Sequence, residues 1–369
     1  MKELTGRERF LLALANEKPD RLPCQVHDWM AYYLATYLGG IDPLSAYERF
    51  GMDPVFYVTP RYEYRATDLT NWTIKRTDLG LQPNGCHAHI EEYITPEGTL
   101  SVKRESNPYM VWDTKHIIEN ERDFELWKKY CPRPIAVDWS PVIEAKKKIG
   151  DRGIVRAGFY DFGQGSPWQS FAFLFGTQEA IYAAIDEPDW VHYVLEEMLT
   201  RKLDVIELGG KQELDLVECG GGAGSTTVIS PAMHREFCLP YDKRQIEALH
   251  AKGTRVVYHL CGGLMPLLET VVENGADALE TMTPADMGGD CDMKEACARV
   301  GDKLAFIGGF DQNRGFEKGD PQTVREMVHR LFEEKSVGGY IISPSDHFFF
   351  GAPENIQAFA DAAKECIYR

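Results

Sequence analysis

Residues 255–280 read RVVYHLCGGLMPLLETVVENGADALE, and the architecture is most legible in this stretch. It opens on a short apolar run at 255–259 and breaks at Gly262-Gly263. The amphipathic spacing of 265–274 follows, and a second apolar run begins at 276–280. Two apolar runs separated by a glycine break and a helical period make a β-α-β unit, with parallel strands and a right-handed crossover. The pattern repeats outward in both directions. Upstream runs lie at 22–26, 54–58, 154–159 and 214–218. Downstream runs lie at 304–308 and 339–343, with helical patterns at 294–300 and 321–335. Eight such runs predict a closed (β/α)8 barrel, a TIM barrel, with residues 1–369 as one domain. A lead-in helix is expected over 1–18, where Thr5 stands as N-cap and Glu8 follows three positions later. One segment, 60–115, breaks the rhythm. It alternates β-branched and polar residues, as in Asn71-Trp72-Thr73-Ile74-Lys75-Arg76, and a turn signal falls at Pro96-Glu97-Gly98. It reads as a β-hairpin insertion after strand two, serving as a lid, a partner-docking surface or an inert elaboration.

The chain has 369 residues, 44% hydrophobic and 26% charged, enough to bury a large core without disulfide staples. Its nine cysteines, at 24, 86, 131, 219, 238, 261, 291, 297 and 366, are odd in number and show no framework spacing. The opening residues have no apolar signal core, and no stretch approaches 18 uninterrupted apolar residues. A cytoplasmic location without a membrane span is therefore expected. In that reducing compartment a cysteine at a strand end serves as ligand or nucleophile sooner than as half of a disulfide. The net charge of −17 argues against nucleic acid as a partner, because such binding relies on Lys and Arg neutralising phosphates. Solubility explains the acidity; steering of a basic partner is the other reading.

Barrels carry their chemistry where the strands terminate at their C-terminal ends. There the sequence places His27-Asp28-Trp29, Tyr160-Asp161-Phe162-Gly163, Glu218-Cys219-Gly220-Gly221-Gly222 and His259-Leu260-Cys261-Gly262-Gly263. Glu280, Gly308-Gly309-Phe310-Asp311-Gln312 and Ser345-Asp346-His347 complete the set. Residues i and i+2 of a strand face the same way, so His259 and Cys261 can aim at one point. Glu218 and Cys219 end the neighbouring strand. An imidazole with one or two thiolates is a borderline-soft set that suits zinc, and three protein ligands with one exchangeable position mark a catalytic site. Plainer roles exist. A His-x-Cys pair also arises by chance in buried strands, and Cys219 serves equally well as a small buried hydrophobe. Glu280, Asp311 and Asp346 also suit helix capping or pairing with arginine, and His347, ahead of Phe348-Phe349-Phe350, can simply hold a loop. The three glycines at 220–222 are no P-loop, since no Gly-Lys-Ser or Gly-Lys-Thr follows, and Gly163-Gln164-Gly165 lacks the third glycine of a dinucleotide fingerprint. The aromatic residues from Tyr160 through Phe162 and Trp168 to Phe175 suit a pocket wall or a helix core.

Five blocks taken together carry a family resemblance. They are Thr5-Gly6-Arg7-Glu8-Arg9 with Asn16-Glu17-Lys18-Pro19-Asp20-Arg21-Leu22-Pro23, Ile229-Ser230-Pro231 with Phe237-Cys238-Leu239-Pro240-Tyr241, His259-Leu260-Cys261-Gly262, Gly308-Gly309-Phe310-Asp311, and Pro353-Glu354-Asn355-Ile356. The chain resembles the uroporphyrinogen decarboxylase-like superfamily and, within it, the corrinoid-linked methyltransferases. The decarboxylase places an arginine-rich, substrate-anchoring segment after its first strand and needs no metal. Here that region reads His27-Asp28-Trp29-Met30-Ala31-Tyr32-Tyr33, without arginine, and the His-x-Cys pair is present. The resemblance therefore implies zinc. Thiol-methylating members draw a third ligand, a cysteine, from the last strand, where this chain has Ser345-Asp346-His347. O-demethylase members draw ligands from further upstream, which implies Cys219 and Glu218 beside His259 and Cys261, with Asp346 or His347 as second choice.

The implied reaction moves a methyl group from a small O-methyl compound, such as a methoxylated aromatic, to the cobalt(I) of a corrinoid (cobalamin) carried by a partner protein. Zinc would act on the ether oxygen as a Lewis acid. His27, Tyr160, Phe162, Trp168, Asp346 and His347 are the candidate substrate-binding residues. Asp161, Glu280 and Asp311 are the candidate catalytic carboxylates, orienting the substrate or supplying a proton. The alternatives are a methylcorrinoid:tetrahydrofolate or thiol methyltransferase, a tetrapyrrole decarboxylase, and a non-catalytic module that binds the corrinoid protein. A homodimer is allowed for.

Overall fold

Residues 3–158, 165–211, 213–335 and 337–369 are described by the computed structural model. Seven parallel strands form one curled sheet: β1 (Val55–Tyr57), β2 (Ile154–Gly158), β3 (Leu216–Gly220), β4 (Arg255–His259), β5 (Ala278–Thr281), β6 (Ala305–Phe310) and β7 (Tyr340–Pro344). Their order in the sheet is their order in the chain, as successive crossovers of one hand require. From β2 onward a helix returns the chain after each strand, among them Pro188–Gly209, Leu239–Ala251, Leu268–Asn274, Met293–Val300, Pro321–Glu334 and Pro353–Glu365. This is the expected barrel architecture, and β4 occupies the residues its sequence pattern marks.

The expected first strand, 22–26, is different. It makes a single parallel bridge, Cys24 to Ile342. The Gln25 N–H donates to the Ile342 carbonyl at 3.0 Å, and the Ile342 N–H to the Pro23 carbonyl at 2.9 Å. On the other side the Cys24 carbonyl accepts the Asp53 N–H at 2.8 Å. A regular ladder cannot continue, because Pro23 has no N–H to give and the Cys24 N–H is taken by the Asp53 carboxylate at 3.0 Å. The segment thus fills the gap between β7 and the residues leading into β1 as an irregular eighth stave.

The two faces of the strands divide cleanly. One set of alternate residues, Val55, Ile154, Leu216, Val257, Ala278, Ala305 and Ile341, clusters with Phe10, Ala13 and Leu14. Those three side chains belong to the helix Gly6–Leu14, which starts at a Thr5/Glu8 capping box as the sequence predicts. This helix therefore seals the end of the barrel where the strands begin. The other set, including Val155, Val217, Cys219, Val256, Tyr258, Leu279, Phe306 and Tyr340, lies in the larger cluster shared with the surrounding helices. Side chains two residues further along the inward set point toward the opposite, C-terminal mouth.

The segment expected to hold a hairpin carries a four-stranded antiparallel sheet, Thr73–Leu81, His87–Thr95, Gly98–Ser106 and Val111–Lys115, paired in chain order. The turn at Pro96-Glu97 is closed by Thr95, whose hydroxyl accepts the Gly98 N–H at 3.1 Å. Leu100 packs this sheet into a second apolar cluster with Phe124, Trp127, Trp168 and Phe171. A loop of the sheet reaches the barrel mouth, where the Tyr109 ring lies 4.6 Å from Tyr32 and 5.5 Å from both Phe349 and Phe350. No helix among the described residues is long and apolar enough to cross a membrane.

Candidate functional site

The inward parity brings one charged residue from each of four strands into a single layer: Arg156 of β2, Glu218 of β3, His259 of β4 and Glu280 of β5. All four are buried. In register, His259 lies opposite Glu280, and Glu218 opposite Gly158, two positions past Arg156. Because β3 runs to Gly220 rather than ending at Glu218, the Glu218 carboxylate sits inside the barrel and not on its rim.

Arg156 is the hub. Its Nη1 donates to Glu280 Oε2 at 2.9 Å, and its Nη2 to Glu280 Oε1 at 2.8 Å and to Glu218 Oε2 at 2.6 Å. The guanidinium carbon lies 4.8 Å from the centre of the Tyr57 ring. His259 Nδ1 is 3.0 Å from Glu280 Oε1 and 3.8 Å from Glu218 Oε1. A carboxylate only accepts, so Nδ1 carries the proton and the lone pair of Nε2 is left available to a ligand. Cys261 hydrogen-bonds the same imidazole. His27, from the loop after the irregular stave, lies with its ring 5.2 Å from His259 and 4.7 Å from His347.

Buried charge must be paired, or the group neutralises. Burial opposes a charge on His259, yet hydrogen bonds to Cys261 and Glu280 and the two carboxylate charges raise its pKa well above the usual value. Burial would raise Glu280, but Arg156 above all, with the hydrogen bond from His259, holds it well below the usual carboxylate range. Burial drives His27 well below the ordinary imidazole value, so it is neutral. The layer therefore holds two carboxylates against one permanent cation, Arg156, and without a metal the second positive charge falls on His259. A divalent cation answers the same deficit. One ligand atom each from His27, Glu218, His259 and Glu280 lies within 4.8 Å of all the others, and His27, Asp346 and His347 make a second such group. Nitrogen and carboxylate donors with a thiol at the edge fit zinc.

Of the expected site residues, the structure gathers His27, Glu218, His259 and Glu280, sets Cys261 beside His259, and joins Asp346 and His347 through His27. It does not gather the rest. Cys219 directly follows Glu218 on β3 and so faces the helices, where Gln245 Nε2 donates to its sulfur at 3.2 Å. Burial pushes that thiol well above its ordinary pKa. Cys219 is thus a core residue and no ligand in this arrangement. Trp168 is core as well, its indole N–H donating to the Ala223 carbonyl at 2.9 Å and its ring stacked 5.7 Å from Phe237. Asp311 accepts the Arg314 N–H at 2.9 Å and so caps the turn after β6. Tyr160, Asp161 and Phe162 lie outside the described residues. Arg156 was hidden inside an apparently apolar strand. Its signal is parity: it shares the inward set with Ile154, and a buried arginine there demands carboxylates on the neighbouring strands.

The profile of the uroporphyrinogen decarboxylase (URO-D) family matches residues 135–366. The uroporphyrinogen decarboxylase of Pseudomonas fluorescens is 28% identical over an alignment of 388 residues, covering 97% of this chain and 96% of that one. That of Chromohalobacter salexigens is 28% identical over 201 residues, covering 53% of this chain and 51% of that one. Among solved structures, a methyltransferase from Methanosarcina mazei superposes with a TM-score of 0.67 at 16% identity, covering 98% of this chain and 99% of that chain. At that identity the likeness is one of fold.

Proposed function

The chain belongs to the uroporphyrinogen decarboxylase family, and from that premise we propose that it is a zinc-dependent methyltransferase which demethylates a small O-methyl compound, such as a methoxylated aromatic, and passes the methyl group to the cobalt(I) of a corrinoid-binding partner protein. One observation carries this reading over decarboxylation. The guanidinium in the buried layer, Arg156, is consumed by Glu218 and Glu280, so the layer offers no free cation to a porphyrinogen that bears many carboxylates. The same surplus of negative charge suits a metal.

In this reading His259 and Cys261 hold the metal together with Glu218. When bound, zinc supplies Lewis acidity toward the ether oxygen and stabilises the oxygen that departs. The chain supplies the rest. Glu280 accepts the Nδ1 proton of His259 and fixes its tautomer. Arg156 holds both carboxylates in orientation and balances their charge. Neutral His27, with Asp346 and His347 beside it, lines the approach and orients the substrate by hydrogen bonds. Methyl transfer needs no general base. It needs the leaving oxygen neutralised and the two reacting centres in line, with water kept out.

The relatives' names favour a second reading, uroporphyrinogen decarboxylation. The experiment that decides combines the purified protein with cobalt(I) corrinoid and candidate methyl donors. The proposal expects the methylcobalt spectrum to appear with an aromatic methyl ether and not with methyltetrahydrofolate. Metal-free protein that converts uroporphyrinogen to coproporphyrinogen would overturn it.

A further inference from the structure

Behind the site, on the outward face of β3 and β4, lies a second buried polar group that the proposed reaction does not use. Asp242, in the helix Leu239–Ala251, is fully buried. Its Oδ2 accepts the hydroxyl of Tyr258, the residue before His259. The same hydroxyl lies 3.5 Å from Nε2 of buried His234, whose Nδ1 is 2.7 Å from the Gly224 carbonyl. A carbonyl only accepts, so His234 carries its proton on Nδ1 and leaves Nε2 as a bare acceptor. Tyr258 therefore has one proton and two acceptors. The turn that ends at Gly224 packs on the site: a Cβ placed on Gly222 would stand 2.6 Å from Cys261 Sγ, and the Gly221 N–H donates to the His259 carbonyl at 2.7 Å.

We propose that Asp242 is a positioning residue for the metal-binding edge, acting through a proton-responsive relay, Asp242–Tyr258–His234–Gly224. With Asp242 ionised, Tyr258 donates to the carboxylate and His234 Nε2 is left without that proton. When Asp242 takes up one proton from solvent, its O–H donates to the Tyr258 oxygen, and the Tyr258 proton turns to His234. The second arrangement ties the β3 turn to β4, and with it the wall against Cys261. No proton is lost and no other group changes charge.

The surroundings favour a switch at neutral pH. Burial pushes Asp242 up to about 7, against the stabilising hydrogen bonds from Tyr258 and Ser166 and the charge of Lys202. The other titratable groups facing it are Cys219 and Cys238, whose thiols burial raises, and Tyr258, raised by burial and by Asp242 itself. Burial lowers His234 to about 4, so it stays neutral while Asp242 titrates.

The link to the metal rests on the function proposed above; the relay itself does not. It is tested in metal-free protein by the 15N resonance of His234 Nε2, assigned by its loss in His234→Gln. The wild type is expected to shift with an inflection near the Asp242 pKa, about 7. Asp242→Asn, whose amide donates to Tyr258 as the neutral acid does, should hold the low-pH value throughout. Tyr258→Phe should abolish the response with the protein folded. A flat wild-type profile, or Asp242→Asn tracking the wild type, would overturn the relay. Zinc affinity by chelator competition then reads the link to the site. Wild type and Asp242→Asn should agree at about pH 6 and differ roughly 2- to 30-fold at about pH 8, the range of such couplings. A ratio that does not change with pH contradicts the positioning role. If neither protein binds zinc, the function proposed above fails, and the resonance alone decides the relay.

Discussion

The inward and outward faces of β3 and β4 solve the same problem in opposite ways, one residue apart. Inward, Glu218 and His259 meet Arg156 and Glu280, and burial is compensated by opposite charge. Outward, Cys219 and Tyr258 meet Gln245 and Asp242, and burial is compensated by hydrogen bonds among groups that are neutral or close to it. The inward layer keeps its charges and so can accept a cation. The outward layer suppresses its charges and so can respond to protons. A strand two residues wide in its repeat can carry both, because consecutive side chains never share a face.

Breaking the inward face should have the larger effect. Arg156→Met leaves two buried carboxylates without their cation and is expected to cost about 3–5 kcal/mol of stability, read by denaturant unfolding. Loss below about 1 kcal/mol would mean that the carboxylates are already neutral. Glu280→Gln keeps the shape but weakens the hold on the His259 tautomer. Zinc affinity should fall about 10- to 100-fold by chelator competition, as for other outer-shell partners of a ligating histidine. An unchanged affinity would remove Glu280 from the support of the site.

The two faces should also separate by pH. The folded-state pKa of His259 is raised, so its contribution to metal-free stability is complete below the unfolded value, about 6.5, and is lost as pH rises through the folded value. Asp242 is raised to about 7. Its neutral folded form favours stability at low pH, and that advantage is lost between the unfolded value, about 3.9, and about 7. Melting curves of metal-free protein should therefore fall in both windows. His259→Asn should remove the upper decline and Asp242→Asn the lower one; a single decline untouched by either would contradict the assignment. The smallest effect is expected at Cys219→Ala, about 1 kcal/mol or less for loss of one small buried atom, with no change in metal content.

Much of the barrel was legible in the sequence because each β-α unit announces itself by a change of hydrophobic period. At β4 the flanking glycines made the end unambiguous as well. The irregular stave at 22–26 was not legible as such, because its ladder is stopped by the carboxylate of Asp53, far along the chain. In the site, His259, Glu218 and Glu280 were legible as strand-end residues. Cys219 was drawn in by adjacency to Glu218, although neighbours on a strand point apart. Arg156 escaped because one charged residue in an apolar run carries no sign of the two carboxylates that other strands bring to it. Trp168 read as pocket wall or core with equal ease, and only the Ala223 carbonyl that takes its N–H decides for the core.

In the proposed function the metal is held in the inward layer with Cys261, and not by Cys219, which faces the helices. Zinc content measured side by side in wild type, Cys261→Ala and Cys219→Ala decides between the two faces. About one zinc per chain is expected in the wild type and in Cys219→Ala, and little or none in Cys261→Ala. A wild type purified without zinc and unable to take it up, or a Cys219→Ala protein that loses it, would contradict an inward metal site.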